Sequence, residues 1–87
     1  MVKIFFKPYF LRRYKKLPSD LRVEIREKIE LFKENPSHPF LKTHKLSGRM
    51  EGLYSFSVNY QYRIVFKYRE DGEVSLLTIG THDIYKN

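Results

Sequence analysis

The chain contains no cysteine. That absence excludes a disulfide framework, a thiolate metal site and a cysteine nucleophile, and it fits a reducing cytosol. No apolar run approaches the ~18 residues of a membrane span, so neither insertion in a membrane nor partnership with one is expected. The run Ile4-Phe5-Phe6 is flanked by Lys3 and Lys7 and lacks a small-residue cleavage site, so it reads as a strand rather than a signal peptide. No glycine-rich phosphate loop and no nucleophile elbow can be found. His38, His44 and His82 lack the spacing of a zinc finger or a metalloprotease helix, which leaves no metal site and no cofactor to expect. There are no repeats and no low-complexity tract. At 87 residues the chain is one domain, spanning 1–87. A domain of that size buries only about 60 to 65% of its unfolded surface. Seven Phe and seven Tyr must therefore supply much of a thin core.

Acidic charge is also in deficit: 10 Asp and Glu stand against 17 Lys and Arg, a net charge of +7. Residues 20–34 hold five acids and four bases, so nearly all the excess lies elsewhere. Lys3, Lys7, Arg12, Arg13, Lys15 and Lys16 precede the first acid. Lys42, His44, Lys45 and Arg49 form a second group, and Arg63, Lys67 and Arg69 a third. So uneven a basic surface favours a polyanion, with nucleic acid or a nucleic-acid machine foremost.

The periodicity predicts an α+β domain. Residues 3–6 form a strand that Pro8 ends, and Pro8 suits the first turn of a short helix carrying Tyr9, Phe10, Leu11 and Tyr14. Pro18-Ser19-Asp20 starts a second helix with Ser19 as cap, and Leu21, Ile25, Ile29 and Phe32 make its buried stripe. Glu24 and Lys28 are spaced to pair, as are Glu30 and Lys33. Asn35-Pro36 stops the helix. Residues 37–48 read as a loop anchored by Phe40 and Leu46. Strands follow at 53–58, 61–69 and 74–79, the last two joined by an Asp71-Gly72 turn. Three successive antiparallel strands, with the first strand beside them, give a small four-stranded, mainly antiparallel twisted sheet with two helices on one face. Tyr62, Ile64, Phe66 and Tyr68 should meet the helices. Arg63, Lys67 and Arg69 then line an open basic face suited to a phosphate backbone.

One constellation on this frame carries metal-free acid/base chemistry: His44, Lys45, Arg63, His82 and Tyr85. RNA is cleaved when its 2′-hydroxyl is deprotonated and attacks the adjacent phosphate. A histidine suits either proton transfer, and Arg or Lys stabilises the charge that develops. Each residue also has a plainer reading. Arg63 can be a solvated outward residue or a salt-bridge partner of Glu51. Lys45 and Arg49 can be ordinary loop charges, His38 and His82 surface residues, and Tyr85 an anchor for the chain end.

Four segments in order resemble the RelE/ParE superfamily of type II toxins over nearly the whole chain, closest to the YafQ-type RelE branch. They are Leu17-Pro18 through Asn35-Pro36, the loop Pro39-Phe40-Leu41-Lys42-Thr43-His44-Lys45-Leu46-Ser47-Gly48, the strand pair Tyr54-Ser55-Phe56-Ser57-Val58 and Tyr62-Arg63-Ile64-Val65-Phe66, and the ending Ile79-Gly80-Thr81-His82-Asp83 with Tyr85. The resemblance implies a cytoplasmic toxin held by a cognate antitoxin, acting as a metal-independent mRNA endonuclease in the ribosomal A site. It assigns catalysis to His44, Arg63, His82 and Tyr85, and RNA or phosphate binding to Lys42, Lys45, Arg49 and Lys67. The superfamily also implies two alternatives: a ParE-like gyrase inhibitor without nuclease activity, or a decayed homologue that only binds antitoxin. Two departures stand out. Thr78 occupies a position where several nuclease members carry arginine. His82 to Tyr85 is three steps where four are common, which in an extended segment would rotate the ring by one side-chain position.

Overall fold

Pro8 divides the first two elements of the computed structural model, which describes residues 1–85. Strand β1 (Ile4–Phe6) runs into helix α1 (Pro8–Lys15). Helix α2 (Ser19–Glu34) follows after Leu17-Pro18. Ser19 does not cap it. Pro18 holds the cap position with no side-chain bond, and its carbonyl accepts the Arg22 N–H at 3.0 Å. The stripe is as expected: Ile25, Ile29 and Phe32 are buried and Leu21 packs beside them.

Residues 37–48 are more structured than a loop. A 3-10 turn at Pro39–Leu41 leads to a two-residue strand β2 (His44–Lys45), and a second such turn covers Gly48–Met50. The anchor is Leu41, which is 0% exposed, whereas Phe40 is 72% exposed. Among the described residues the sheet accordingly has five strands, one more than the periodicity indicated. With β3 (Tyr54–Ser57), β4 (Arg63–Tyr68) and β5 (Val74–Gly80), the order is β1-β5-β4-β3-β2. Among the described residues, only β1 pairs in parallel, along β5. Two residues lack the period from which a strand can be read, and β2 exists because β3 offers it a partner.

The helix-facing side of the sheet carries the core. Phe32 stacks on Phe56 with ring centroids 4.6 Å apart and meets Phe66 edge-on at 4.9 Å. Ile64, Leu76 and Ile79 complete the layer. Leu76 and Ile79 share this face although they are three apart. The register slips between Val65 and Phe66, so that Phe66 opposes Leu76 while Val65 opposes Thr78. The bulge leaves Leu77 unmatched and re-aims the end of β5. Thr78 and Gly80 thereby lie on the face away from the helices. Among the described residues, no helix is long and apolar enough to cross a membrane.

Candidate active site

The face away from the helices is built in cross-strand rows. His44 opposes Ser55, Ser55 opposes Val65, and Val65 opposes Thr78. The next row runs Ser57, Arg63, Gly80. This face is not bare, as the alternation of β4 suggested. Ser55 and Val65 are 0% and 1% exposed, and a 3-10 turn at His82–Tyr85 folds back toward them. The turn seats on Gly80: a Cβ there would lie 2.2 Å from Ile84 Cγ2 and 2.9 Å from Arg13 Nη2. Glycine is required at 80 by this close approach, and its backbone needs no unusual conformation.

Helicity of the final turn changes the meaning of the short His82–Tyr85 spacing. In a 3-10 helix residues i and i+3 eclipse, so three steps bring the two rings to one side. Their centroids are 5.7 Å apart at 77°. The Tyr85 hydroxyl lies 2.6 Å from Ser55 Oγ. Directly opposed residues of an antiparallel pair have Cβ atoms about 4.5–5.5 Å apart. Ser55 thus links His44 on one side to Tyr85 and His82 on the other. His44 Nδ1 is 2.9 Å from the Lys42 carbonyl. A carbonyl can only accept, so Nδ1 carries a proton, and Nε2 is the nitrogen left to accept in the singly protonated ring.

Alternation separates Lys45 from this group. It opposes Tyr54, whose ring stacks on Phe66 in the helix-facing layer, and so sits on the other side of β2 from His44. Arg63 Nη1 takes the carbonyls of Asn59, Tyr60 and Tyr62 at 2.8, 3.3 and 3.1 Å, tying down the β3–β4 turn rather than pairing with Glu51. Lys42 has a left-handed backbone, φ 50°, and lines a groove with Arg63. Arg49 stands exposed in the Gly48–Met50 turn. Lys67 lies at the far end of β4, in a groove with Lys7 and Arg69. His38 accepts the Phe40 N–H at Nδ1 (3.1 Å) and is structural.

Two contributors were not read from the sequence as site residues. Ser55 had a signal: a small hydroxyl between the aromatic Tyr54 and Phe56 in a strand that alternates aromatic with serine. Arg13 had none, since 66 positions separate it from the Ile79 carbonyl that its Nε reaches at 2.6 Å. It brings a guanidinium to the end of β5, into a pocket shared with Thr78, Thr81 and Asp83. Among the described residues, no group of three or more His, Cys, Asp or Glu side chains is placed to hold a metal ion.

Residues 5–82 match the family model for a HigB-like toxin, described as a RelE-like toxin of type II toxin-antitoxin system HigB. No curated protein matches in sequence. Among solved structures, YafQ from E. coli strain BL21(DE3) superposes with a TM-score of 0.79 at 15% identity, covering 100% of both chains. The toxin–antitoxin complex RelBE2 from Mycobacterium tuberculosis gives 0.78 at 17% identity, covering 93% of this chain and 98% of that one. The YoeB dimer from Staphylococcus aureus gives 0.72 at 22% identity, covering 93% and 97%. At these identities the likeness is one of fold.

Proposed function

Because the chain belongs to the HigB-like family of RelE-like type II toxins, we propose that it is a ribosome-dependent mRNA endonuclease restrained by a cognate antitoxin. The observation that carries this reading is the run His44, Ser55, Tyr85, His82 across one sheet face. In the proposed reaction, His44 Nε2 takes the 2′-hydroxyl proton. The 2′-oxygen bonds to the adjacent phosphorus as the bond to the 5′-oxygen breaks. The protonated His82 ring donates to that leaving oxygen, yielding a 2′,3′-cyclic phosphate and a 5′-hydroxyl. Tyr85 orients His82 through their ring contact and is itself held by Ser55. Arg13 stands where it can offset phosphorane charge from the end of β5, where Thr78 supplies none. Lys42 and Arg63 extend the cationic surface along the RNA, with Lys67 and Arg49 further out. Lys45, on the other side of β2, is assigned no contact with the scissile phosphate. The chemistry needs no metal, because side chains perform both proton transfers.

An antitoxin partner follows from the family, and solved relatives such as RelBE2 are complexes of that kind. The proposed target, mRNA in the ribosomal A site, places the action in the cytoplasm.

The test is to induce the chain in cells and map mRNA 5′ ends, with His82→Ala and His44→Ala in parallel. Codon-phased cuts should appear with the parent chain and fall by roughly 10²–10⁴-fold in each variant. Growth arrest with intact mRNA and damaged DNA would sink the nuclease reading and leave gyrase inhibition in its place.

A further inference from the structure

The β3–β4 turn is held in place by hydrogen bonds on every side and carries a ring in water at its tip. Asn59 Oδ1 accepts the N–H groups of Gln61 and Tyr62, each at 2.8 Å, and Asn59 Nδ2 donates to Glu24 at 2.8 Å. With Arg63 bonded to the turn's carbonyls, the backbone around Tyr60 has few ways to move. Yet Tyr60 is 95% exposed. Phe40 is presented in a similar way. Leu41 anchors its turn, its N–H is bonded to His38, and the His38 ring meets it edge-on at 4.8 Å. Large exposed rings on a hydrogen-bonded backbone add little to stability and are well suited to contact.

Both rings line one groove of 430 Å³, with Lys28, Lys42 and Arg63 around them. No carboxylate is among its lining residues. The other grooves differ. The basic one at the far end of β4 includes Glu70 and Asp71, and the apolar one between α1 and α2 includes Glu27 and Glu30. Three cations beside exposed aromatic faces, with the nearby Glu24 carboxylate already accepting from Asn59, match a ligand that is anionic and aromatic, which is the chemistry of a nucleotide. The groove is also continuous with the site. Lys42, in its left-handed conformation, lines the groove, and its carbonyl fixes the His44 tautomer.

We propose that this groove is a nucleobase subsite: a base flanking the scissile phosphate stacks on Phe40 and Tyr60 while Lys28 and Lys42 neutralise its phosphate. The subsite rests on the ribonuclease reading above. Stacking accepts any base, so the groove supplies affinity and position more than sequence selectivity.

The probe is a short single-stranded RNA with a 2′-deoxy sugar at the cleavage position and 2-aminopurine beside it. Binding should quench the 2-aminopurine fluorescence. Phe40→Leu and Tyr60→Leu should each weaken binding about 5- to 100-fold and relieve the quench, whereas Phe40→Trp retains both. Both side chains are exposed, so melting temperatures should stay put. Unchanged affinity and quench in the double leucine variant would overturn the subsite. So would leucine variants that bind RNA normally but no longer hold a co-expressed antitoxin, since the groove would then be a protein-docking face. Mapping mRNA ends in parallel separates the two readings. If the parent chain cuts and the leucine variants cut equally, only the subsite fails; if the parent neither cuts mRNA nor binds the probe, both fail.

Discussion

At the scale of single residues, the site depends on two small ones. Gly80 lets Ile84 lie against β5, and Ser55 accommodates the Tyr85 hydroxyl beneath the final turn. Gly80→Ala places a methyl where Ile84 Cγ2 already stands, so the His82–Tyr85 turn must lift. Overpacking of that kind costs about 1–3 kcal/mol. The expected outcome is a melting temperature lowered by roughly 4–8 °C for each kcal/mol, with cleavage lost because His82 and Tyr85 leave Ser55. Thermal melts beside mRNA end mapping check it, and a variant with the parent's melting temperature and full cleavage refutes the seating of this turn. His82 and Tyr85 were legible as candidates because His and Tyr are the residue types such chemistry uses. Their cooperation was not legible, since it depends on a 3-10 geometry that an extended reading of the same four residues misses.

At the scale of elements, hairpin turns set the rows in register. The Glu70–Glu73 connection behaves as its Asp-Gly signal indicates. Gly72 has a φ of 85°, and the Arg69 N–H meets the Glu73 carbonyl at 2.6 Å. Asp71 Oδ1 accepts the Glu73 N–H at 3.0 Å, and that bond, helped by the nearby Arg69, holds the carboxyl below the usual carboxylate range. A group with a depressed folded pKa stabilises the fold above its unfolded pKa and loses that effect as pH falls through the folded value. Asp71→Ala should therefore melt below the parent chain at neutral pH, and the gap should close once the pH drops beneath the carboxylate range. Melting curves taken across that range measure it; a gap of constant size would show that the charge plays no part. The expected Glu24–Lys28 pairing gave way to a longer-range bond. Glu24 accepts Asn59 Nδ2 instead, and Lys28 lines the aromatic groove. Helical spacing names a neighbour, but the turn above α2 offers a better donor, because an exposed ion pair is worth little.

At the scale of the whole molecule, one aromatic layer supports everything else. Phe32 of α2 stacks on Phe56 of β3 and meets Phe66 of β4 edge-on. Replacing a buried Phe by Ala costs about 3–5 kcal/mol. Native domains have only about 5–15 kcal/mol in total, so Phe32→Ala should remove a large share of it and lower the melting temperature by roughly 12–40 °C. Circular dichroism with temperature reads this directly, and a cooperative melt within a few degrees of the parent would contradict it. The charge acts at the same scale: an excess of +7 draws a polyanion toward the molecule without selecting a site on it.

The order of the two helices and of the four strands other than β2, the apolar stripe of α2 and the aromatic face of β4 were determined by the sequence alone, because hydrophobic period and turn chemistry act over a few neighbouring residues. So was the presence of His44, Arg63, His82 and Tyr85 as candidates, since residue type limits proton-transfer chemistry. Tertiary structure decided which of them meet. Pairing of β2 with β3 put His44 in the row of Ser55 and turned Lys45 away, and the bulge in β5 set Thr78 in that row and Gly80 in the next. It also brought Arg13 to the end of β5 and left Phe40 and Tyr60 facing one groove. These are contacts between residues far apart in the chain. They form only where backbone partners and packing leave one arrangement with its buried polar groups satisfied, and no local pattern encodes them.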